Sequence, residues 1–330
     1  MKVLITGGAG YIGSHMALAL LDEGNDVVIL DNLSTGSKQI IPSKATFVEG
    51  DISDLNLVQR IFSYHDFDAV THFAGSLKVE ESVMNPLKYY ENNTVNTLRF
   101  VECLSNTNVK NLIFSSTAAV YEEKKTGSIS ETHLCNPSNP YGRSKLMCEN
   151  IIRDLSQCTN LKFFILRYFN VAGADPKLRS GLIDEKSNHL IKTCIDCVLQ
   201  KRELIEIYGT DYDTEDGSCV RDFIHVSDLI SGHLLAIKHL VNGGDSDICN
   251  LGYGKGFSVL EIVEKVKLIS KINYTTKATS RRKGDASRVV ADNKKIMSKY
   301  NWKPKFNNIN TIISTSLNWE KQKLKISNET

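Results

Sequence analysis

Runs of consecutive apolar and β-branched residues mark the first half of the chain: Val3-Leu4-Ile5, Val27-Val28-Ile29-Leu30, Thr46-Phe47-Val48, Ala69-Val70-Thr71-His72-Phe73, Leu112-Ile113-Phe114 and Phe163-Phe164-Ile165-Leu166. Unbroken apolar runs, rather than alternating ones, predict strands covered on both faces. Between them lie amphipathic stretches of helix length, such as Tyr11 to Leu21, which ends before Gly24, a residue suited to a left-handed cap. Strands alternating with helices imply right-handed crossovers and a parallel, doubly wound α/β sheet. After about residue 173 the rhythm changes. Residues 177–187 are polar and loop-like; a helix, a Gly/Asp-rich stretch (209–218), a helix from Asp228 and a Gly-rich turn (Gly252, Gly254, Gly256) follow. The expectation is therefore a first domain over 1–173 and a smaller mixed α+β portion over 174–330, with a run such as Asp247 to Leu251 free to return to the first sheet.

Length agrees: 330 residues correspond to about two domains. A 41% hydrophobic content supplies a sizeable core and excludes a disordered chain. Lys and Arg number 40 against 38 Asp and Glu, a formal net charge of +2, so neither nucleic acid nor an anionic membrane is bound through the overall field. A phosphate ligand must be held by a few placed groups. The eight cysteines are scattered, and the start of the chain has too few apolar residues for a signal-peptide core. No apolar stretch reaches the roughly 18 residues of a membrane span. These features predict a cytoplasmic protein with reduced thiols. Cys194 and Cys197 have redox or zinc spacing, but no second pair follows at zinc-finger distance, and their apolar-periodic surroundings favour buried packing cysteines and no metal.

The first candidate site is Thr6-Gly7-Gly8-Ala9-Gly10-Tyr11-Ile12-Gly13, directly after the first strand and opening the first helix. Gly7, Gly10 and Gly13 suit a tight turn, close approach to a pyrophosphate and close helix–strand packing, with the helix N-terminus facing the phosphates. Such a turn also serves simply to connect two elements. Its context adds Asp31, eighteen residues past Gly13, where a carboxylate accepts hydrogen bonds from a ribose diol and repels a 2′-phosphate, favouring NAD over NADP. Asp51, ending the third strand in Gly50-Asp51-Ile52, suits an adenine amino group.

The second candidate site is Tyr141 and Lys145, four apart after the helix start Asn139-Pro140 and hence on one helical face. A phenol near pKa 10 becomes a working base when a neighbouring ammonium and a pyridinium favour its phenolate. Upstream, Ser115-Ser116-Thr117 ends a strand at the ligand-binding edge of the sheet, where a hydroxyl can bond the reacting oxygen.

Together these features resemble the extended short-chain dehydrogenase/reductase superfamily, and within it the UDP-glucose 4-epimerase family. The resemblance is carried by GGAGYIGSH (7–15), LDNLS (30–34), FVEGDI (47–52), HFAG (72–75), ESVMNPLKYYENN (81–93), FSSTAAVY (114–121), NPYGRSK (139–145), LRYFNVAGADP (166–176), DYDTEDGSCVRDFIHVSDL (211–229), CNLGYG (249–254) and RRKGD (281–285). It implies a Rossmann NAD domain and a UDP-sugar domain. Thr117 would be the hydroxyl, Tyr141 the acid/base and Lys145 its electrostatic and ribose-binding partner. Tyr11, Ile12, Asp31, Asn32, Asp51, Ile52, Phe73, Ala74 and Asn92 would line the NAD site, with Phe169 beside the nicotinamide. Asn170, Arg221, Arg282 and Asp285 would hold the UDP, the arginines on its diphosphate and Asp285 on its ribose, with Tyr208 by the uracil. The resemblance further implies a homodimer built from helices of the NAD domain.

It also implies the chemistry. Tyr141 removes the sugar 4-hydroxyl proton, hydride passes from C4 to tightly bound NAD, and the 4-keto sugar turns over and is reduced on its other face. Four positions depart from the family pattern or vary within it. Leu77 stands where many relatives carry a lysine, Lys78 following it; Glu122 replaces the usual glycine after Val120-Tyr121; His189 replaces a sugar-contacting asparagine of some members; and Val289 replaces a bulky tyrosine near the sugar C2 substituent, leaving space for a 2-acetamido group. A 4,6-dehydratase would need an Asp-Glu pair where this chain has Ala118-Ala119. A catalytically silent NAD-binding protein would have lost the tyrosine or lysine, and both are present.

Overall fold

Three apolar neighbours in a row leave a strand no solvent face, and the computed structural model, which describes residues 1–123, 127–185, 187–282 and 284–329, builds its sheet accordingly. The strands are β1 (Lys2–Thr6), β2 (Asp26–Asp31), β3 (Thr46–Glu49), β4 (Ala69–His72), β5 (Asn111–Thr117), β6 (Lys162–Tyr168), β7 (Asn170–Ala172), β8 (Leu204–Tyr208), β9 (Val220–His225), β10 (Asp247–Leu251), β11 (Gly256–Ser258), β12 (Thr275–Thr279) and β13 (Arg288–Val289). The helices are α1 (Tyr11–Asp22), α2 (Leu55–Tyr64), α3 (Val79–Met84), α4 (Pro86–Tyr89), α5 (Asn96–Ser105), α6 (Pro140–Cys158), α7 (Leu190–Val198), α8 (Val226–Val241), α9 (Val259–Ser270), α10 (Lys294–Tyr300) and α11 (Ile309–Glu329). A π-helical turn, Tyr90–Val95, joins α4 to α5.

Seven strands form one parallel sheet in the order β10-β6-β5-β4-β1-β2-β3. Val3 and Ile5 pack with α1 and α8 on one face, while Leu4 packs with α2, α5 and α6 on the other. This is a doubly wound Rossmann-type sheet, and the order in which strands are added reverses between β1 and β4, so ligands are expected at the carboxyl ends there. The run Asp247–Leu251 does return to this sheet, as its edge strand beside β6.

The second half supplies a small sheet, β11-β9-β13 with β7 on β9, and the pair β8–β12. One residue, Phe169, separates β6 from β7, so the chain steps from the large sheet straight into the small one. The polar segment 177–185 carries no helix or strand. Its loop is held against α11, where the Trp319 indole donates to the Leu182 carbonyl at 3.0 Å. Cys194 and Cys197 are buried free thiols on α7, and all eight cysteines are free.

Full coverage of the sheet predicts that adjacent residues on opposite faces are equally costly to truncate. Leu4→Ala and Ile5→Ala, both 0% exposed in β1, should each lower the unfolding free energy by about 2–5 kcal/mol in urea titrations. A neutral result for either would contradict the two-faced burial.

Candidate active site

At the end of β1 the backbone turns through Gly7 at φ +73°. A Cβ at Gly7 would lie 2.7 Å from the Ala74 nitrogen, and one at Gly13 would lie 2.2 Å from the Gly7 carbonyl oxygen. Only glycines allow this cradle, which brings α1 against the turn and leaves its opening N–H groups without intrahelical acceptors. Gly10, the N-cap, offers no side chain to satisfy them. This is the form a pyrophosphate site takes, and the residues present fit a dinucleotide.

Asp31 is buried at the end of β2, where one carboxylate oxygen accepts the Ala9 N–H at 2.9 Å and the other the Leu33 N–H at 2.8 Å. Burial raises its pKa, and these N–H bonds oppose the rise. The residue assigned to the ribose therefore also braces the glycine turn. Asn32 donates to Asp51, whose other oxygen accepts the Ser53 N–H at 2.8 Å, and Ile52 is buried beside them. Phe73 and Ala74 follow β4, the Phe73 ring 5.2 Å from that of His233. The Tyr11 hydroxyl is committed to the Gly173 carbonyl at 2.6 Å, so the free polar group that Tyr11 brings to the turn is its backbone N–H.

Thr117 ends β5, and Tyr141 and Lys145 lie on the first turns of α6, which starts where the Asn139 side chain caps the Gly142 N–H at 2.9 Å. Burial raises the Tyr141 phenol above its ordinary value, while the Thr117 hydroxyl pulls it back. The Lys145 ammonium is 5% exposed, donates to the Ser115 carbonyl at 3.0 Å and lies 4.9 Å over the Phe114 ring. Its pKa is lowered by burial and raised by Cys148 and Glu149. The expected partnership of ammonium and phenol thus takes an indirect form here: the hydrogen bond supporting Tyr141 comes from Thr117, and Lys145 is anchored on the strand beneath.

Phe169 and Val289 belong to one apolar cluster with Ala118, Val120, Tyr121 and Ala291, which joins the Tyr141 side to the second half. Val289 pairs with Arg221 across β13 and β9, and Asn170 opens β7, which pairs with the later residues of β9, Phe223 to His225. Arg221 faces Asp285 at 3.8 Å, and the Arg282 guanidinium stacks 3.7 Å over the Tyr208 ring. Four of the five residues assigned to UDP therefore meet as two cation-containing pairs. His189 is the N-cap of α7; burial lowers its pKa, and the Asp184 carboxylate opposes this. Lys78 pairs with the same Asp184 at 3.2 Å, and Glu122 accepts the Asn136 amide at 3.1 Å.

Two residues escaped the motif reading. Asn92 was assigned, and it donates to the Ser76 hydroxyl at 2.9 Å. Its neighbour Asn93 does more: it accepts the Ser76 N–H at 2.7 Å, donates to the Ser76 carbonyl at 3.0 Å and donates to Ser144 on α6 at 3.0 Å. It sits in the π-helical turn, which turns successive side chains onto new faces. Glu149 is buried on α6 and bonds Ser116 and Arg167. Its signal was available as the four-residue spacing from Lys145 on the same face.

Residues 3–252 match the NAD dependent epimerase/dehydratase family. The chain is 45% identical over 320 residues to the UDP-glucose 4-epimerase of Azospirillum brasilense, covering 97% of this chain and 92% of that one. Its fold is similar to the crystal structure of UDP-glucose 4-epimerase from Brucella ovis in complex with NAD, with TM-score 0.93, 38% identity and coverage of 96% and 97%. It is similar too to the UDP-Glc/GlcNAc 4-epimerase of Campylobacter jejuni, with TM-score 0.84, 46% identity and coverage of 97% and 99%. Likeness over nearly the whole chain, on a sheet whose glycine turn and Tyr141–Lys145 helix share one edge, makes this chain a member of the NAD dependent epimerase/dehydratase family, grouped with its UDP-glucose 4-epimerases.

Proposed function

We propose that the protein interconverts UDP-glucose and UDP-galactose by oxidation and re-reduction at sugar C4. The observation carrying this reading is the meeting of Thr117, Tyr141 and buried Lys145 at the sheet edge that also holds the glycine cradle. NAD, when bound, supplies the acceptor and then the donor of hydride. The protein's own part is to move one proton and hold one diphosphate. Tyr141 takes the proton from the 4-hydroxyl and returns it; the Thr117 hydroxyl opposes part of the burial that raises the phenol. Arg221 and Arg282 take the diphosphate, for which planar guanidiniums suit better than diffuse positive charge. Asp285 takes the ribose, Asn170 and Tyr208 flank the nucleotide, and His189 and Val289 border the sugar. The division is an NAD half over 1–173 and a UDP-sugar half over 174–330, with β10 crossing back. Ala118 and Ala119, which follow Thr117 in a short turn, cannot exchange protons with C5 or C6, so dehydration is disfavoured.

Among the described residues no helix is long and apolar enough to cross a membrane, and eight free thiols suit a reducing cytoplasm. A homodimer is supported by exposed apolar residues on helices packed next to one another: Val83 and Met84 on α3, Leu87 on α4, Leu98 on α5 and Met147 on α6. Patches of this kind mark association surfaces.

Three outcomes test these readings. In Tyr141→Phe, conversion of UDP-galactose to UDP-glucose should fall roughly 10²–10⁴-fold with NAD still bound on purification; retained conversion would refute the assignment. Val289 is half-buried beside Phe169 and the C. jejuni relative is named for both sugar types, which supports turnover of UDP-GlcNAc and UDP-GalNAc as well. Val289→Tyr should depress N-acetyl turnover more than hexose turnover, and an equal effect on both would sink that extension. Finally, Leu98→Glu with Met147→Glu should halve the mass measured by light scattering; a wild-type monomer would dismiss the dimer.

A further inference from the structure

Beneath Thr117, Tyr141 and Lys145 lies a buried charged pair, Glu149 and Arg167. Glu149 is 0% exposed and Arg167 is 4% exposed. The guanidinium grips the carboxylate with both arms, Nε to Oε1 at 3.0 Å and Nη2 to Oε2 at 2.5 Å. A pair of this kind is often no more stabilising than well-packed apolar residues, so its place calls for another explanation.

Its neighbours supply one. The Ser116 hydroxyl donates to Glu149, and Ser116 sits between Ser115, whose carbonyl anchors Lys145, and Thr117, whose hydroxyl supports Tyr141. Arg167 is the residue opposite Ser116 in the β5–β6 register. It also lies 4.7 Å over the Tyr121 ring, beside Cys135. The Tyr121 hydroxyl donates to Asn250 at 2.7 Å, Asn250 donates to the Ile129 carbonyl at 2.8 Å, and the Ile129 N–H reaches the Val290 carbonyl at 2.8 Å. One continuous set of contacts thus runs from α6 to the residue after Val289.

We propose that Glu149 is a positioning residue for proton transfer: bonded to Ser116 and Arg167 and one helical turn from Lys145, it holds the Lys145 ammonium and the Thr117 hydroxyl in register with Tyr141. This rests on the reading of Tyr141 and Lys145 given above.

Lys145 is faced by Cys148 and Glu149 from α6, by His72 from β4, and by the Phe114 ring and Ser115 carbonyl from β5. Burial, with Lys145 adding to it, pushes His72 down to about 3, and burial pushes the Cys148 thiol up. Both are neutral at working pH, which leaves Glu149 as the anion of this set supporting the ammonium. Its removal lowers the Lys145 pKa, so the ammonium is lost at lower pH.

The test is the pH profile of kcat for UDP-galactose epimerisation by the NAD-loaded protein. Glu149→Gln keeps the shape but leaves Arg167 unpaired; Glu149→Gln/Arg167→Met removes both charges. In each, the alkaline limb should move down by about half to one pH unit, and kcat should fall while KM holds. Glu149→Asp, which keeps the charge, should return the limb to its wild-type position. A limb unmoved in both charge-removing variants, or failure of both to fold, overturns the proposal in favour of a purely structural pair. If Tyr141→Phe stays active, the underlying reading fails; if Tyr141→Phe is inactive and the limb is unmoved, only the role of Glu149 fails.

Discussion

All strands of the large sheet run the same way, so all of them end at one edge. Parallel strands need crossovers, and crossovers of one hand put helices on both faces, which leaves that edge as the open place for chemistry. The glycine turn after β1, Asp31 at the end of β2, Asp51 after β3, Phe73 after β4 and Thr117 at the end of β5 are neighbours for this reason. The Phe169 step then carries the chain from β6 into the small sheet that bears Asn170 on β7 and Arg221 on β9.

That edge is also where burial and charge compete. Tyr141 and Lys145 are each pushed toward neutrality by the surroundings that hold them. The proposed use of a phenolate and an ammonium therefore calls for compensation, and the groups that oppose the effect of burial are fixed ones: the Thr117 hydroxyl at Tyr141, and the Ser115 carbonyl and Glu149 carboxylate at Lys145. A chain with a net charge of only +2 can work this way because none of these contacts depends on its overall field. The groups proposed to hold UDP follow the same economy, Arg221 facing Asp285 and Arg282 stacked on Tyr208.

Much of the fold was legible because period and spacing are local properties. Unbroken apolar runs marked the parallel strands, Asn139-Pro140 marked the start of α6, and the four-residue interval placed Tyr141 and Lys145 on one face. The glycine turn was legible because only glycine meets its backbone demands. Partners distant in sequence were not. Nothing local shows that the Tyr11 hydroxyl is taken by Gly173, that Asp31 is tied to Ala9, or that Asn93 spans Ser76 and Ser144.

The sequence by itself determined the strand–helix alternation, the glycine turn and the placing of Tyr141 and Lys145 on one helical face, because each is written in residues a few positions apart. Tertiary structure alone decided that Asp247–Leu251 forms an edge of the large sheet, that Val289 packs against the cluster containing Phe169, and that Glu149 finds Arg167 and Ser116. Those outcomes depend on how the crossovers pack, and packing joins residues whose separation along the chain carries no periodic signal.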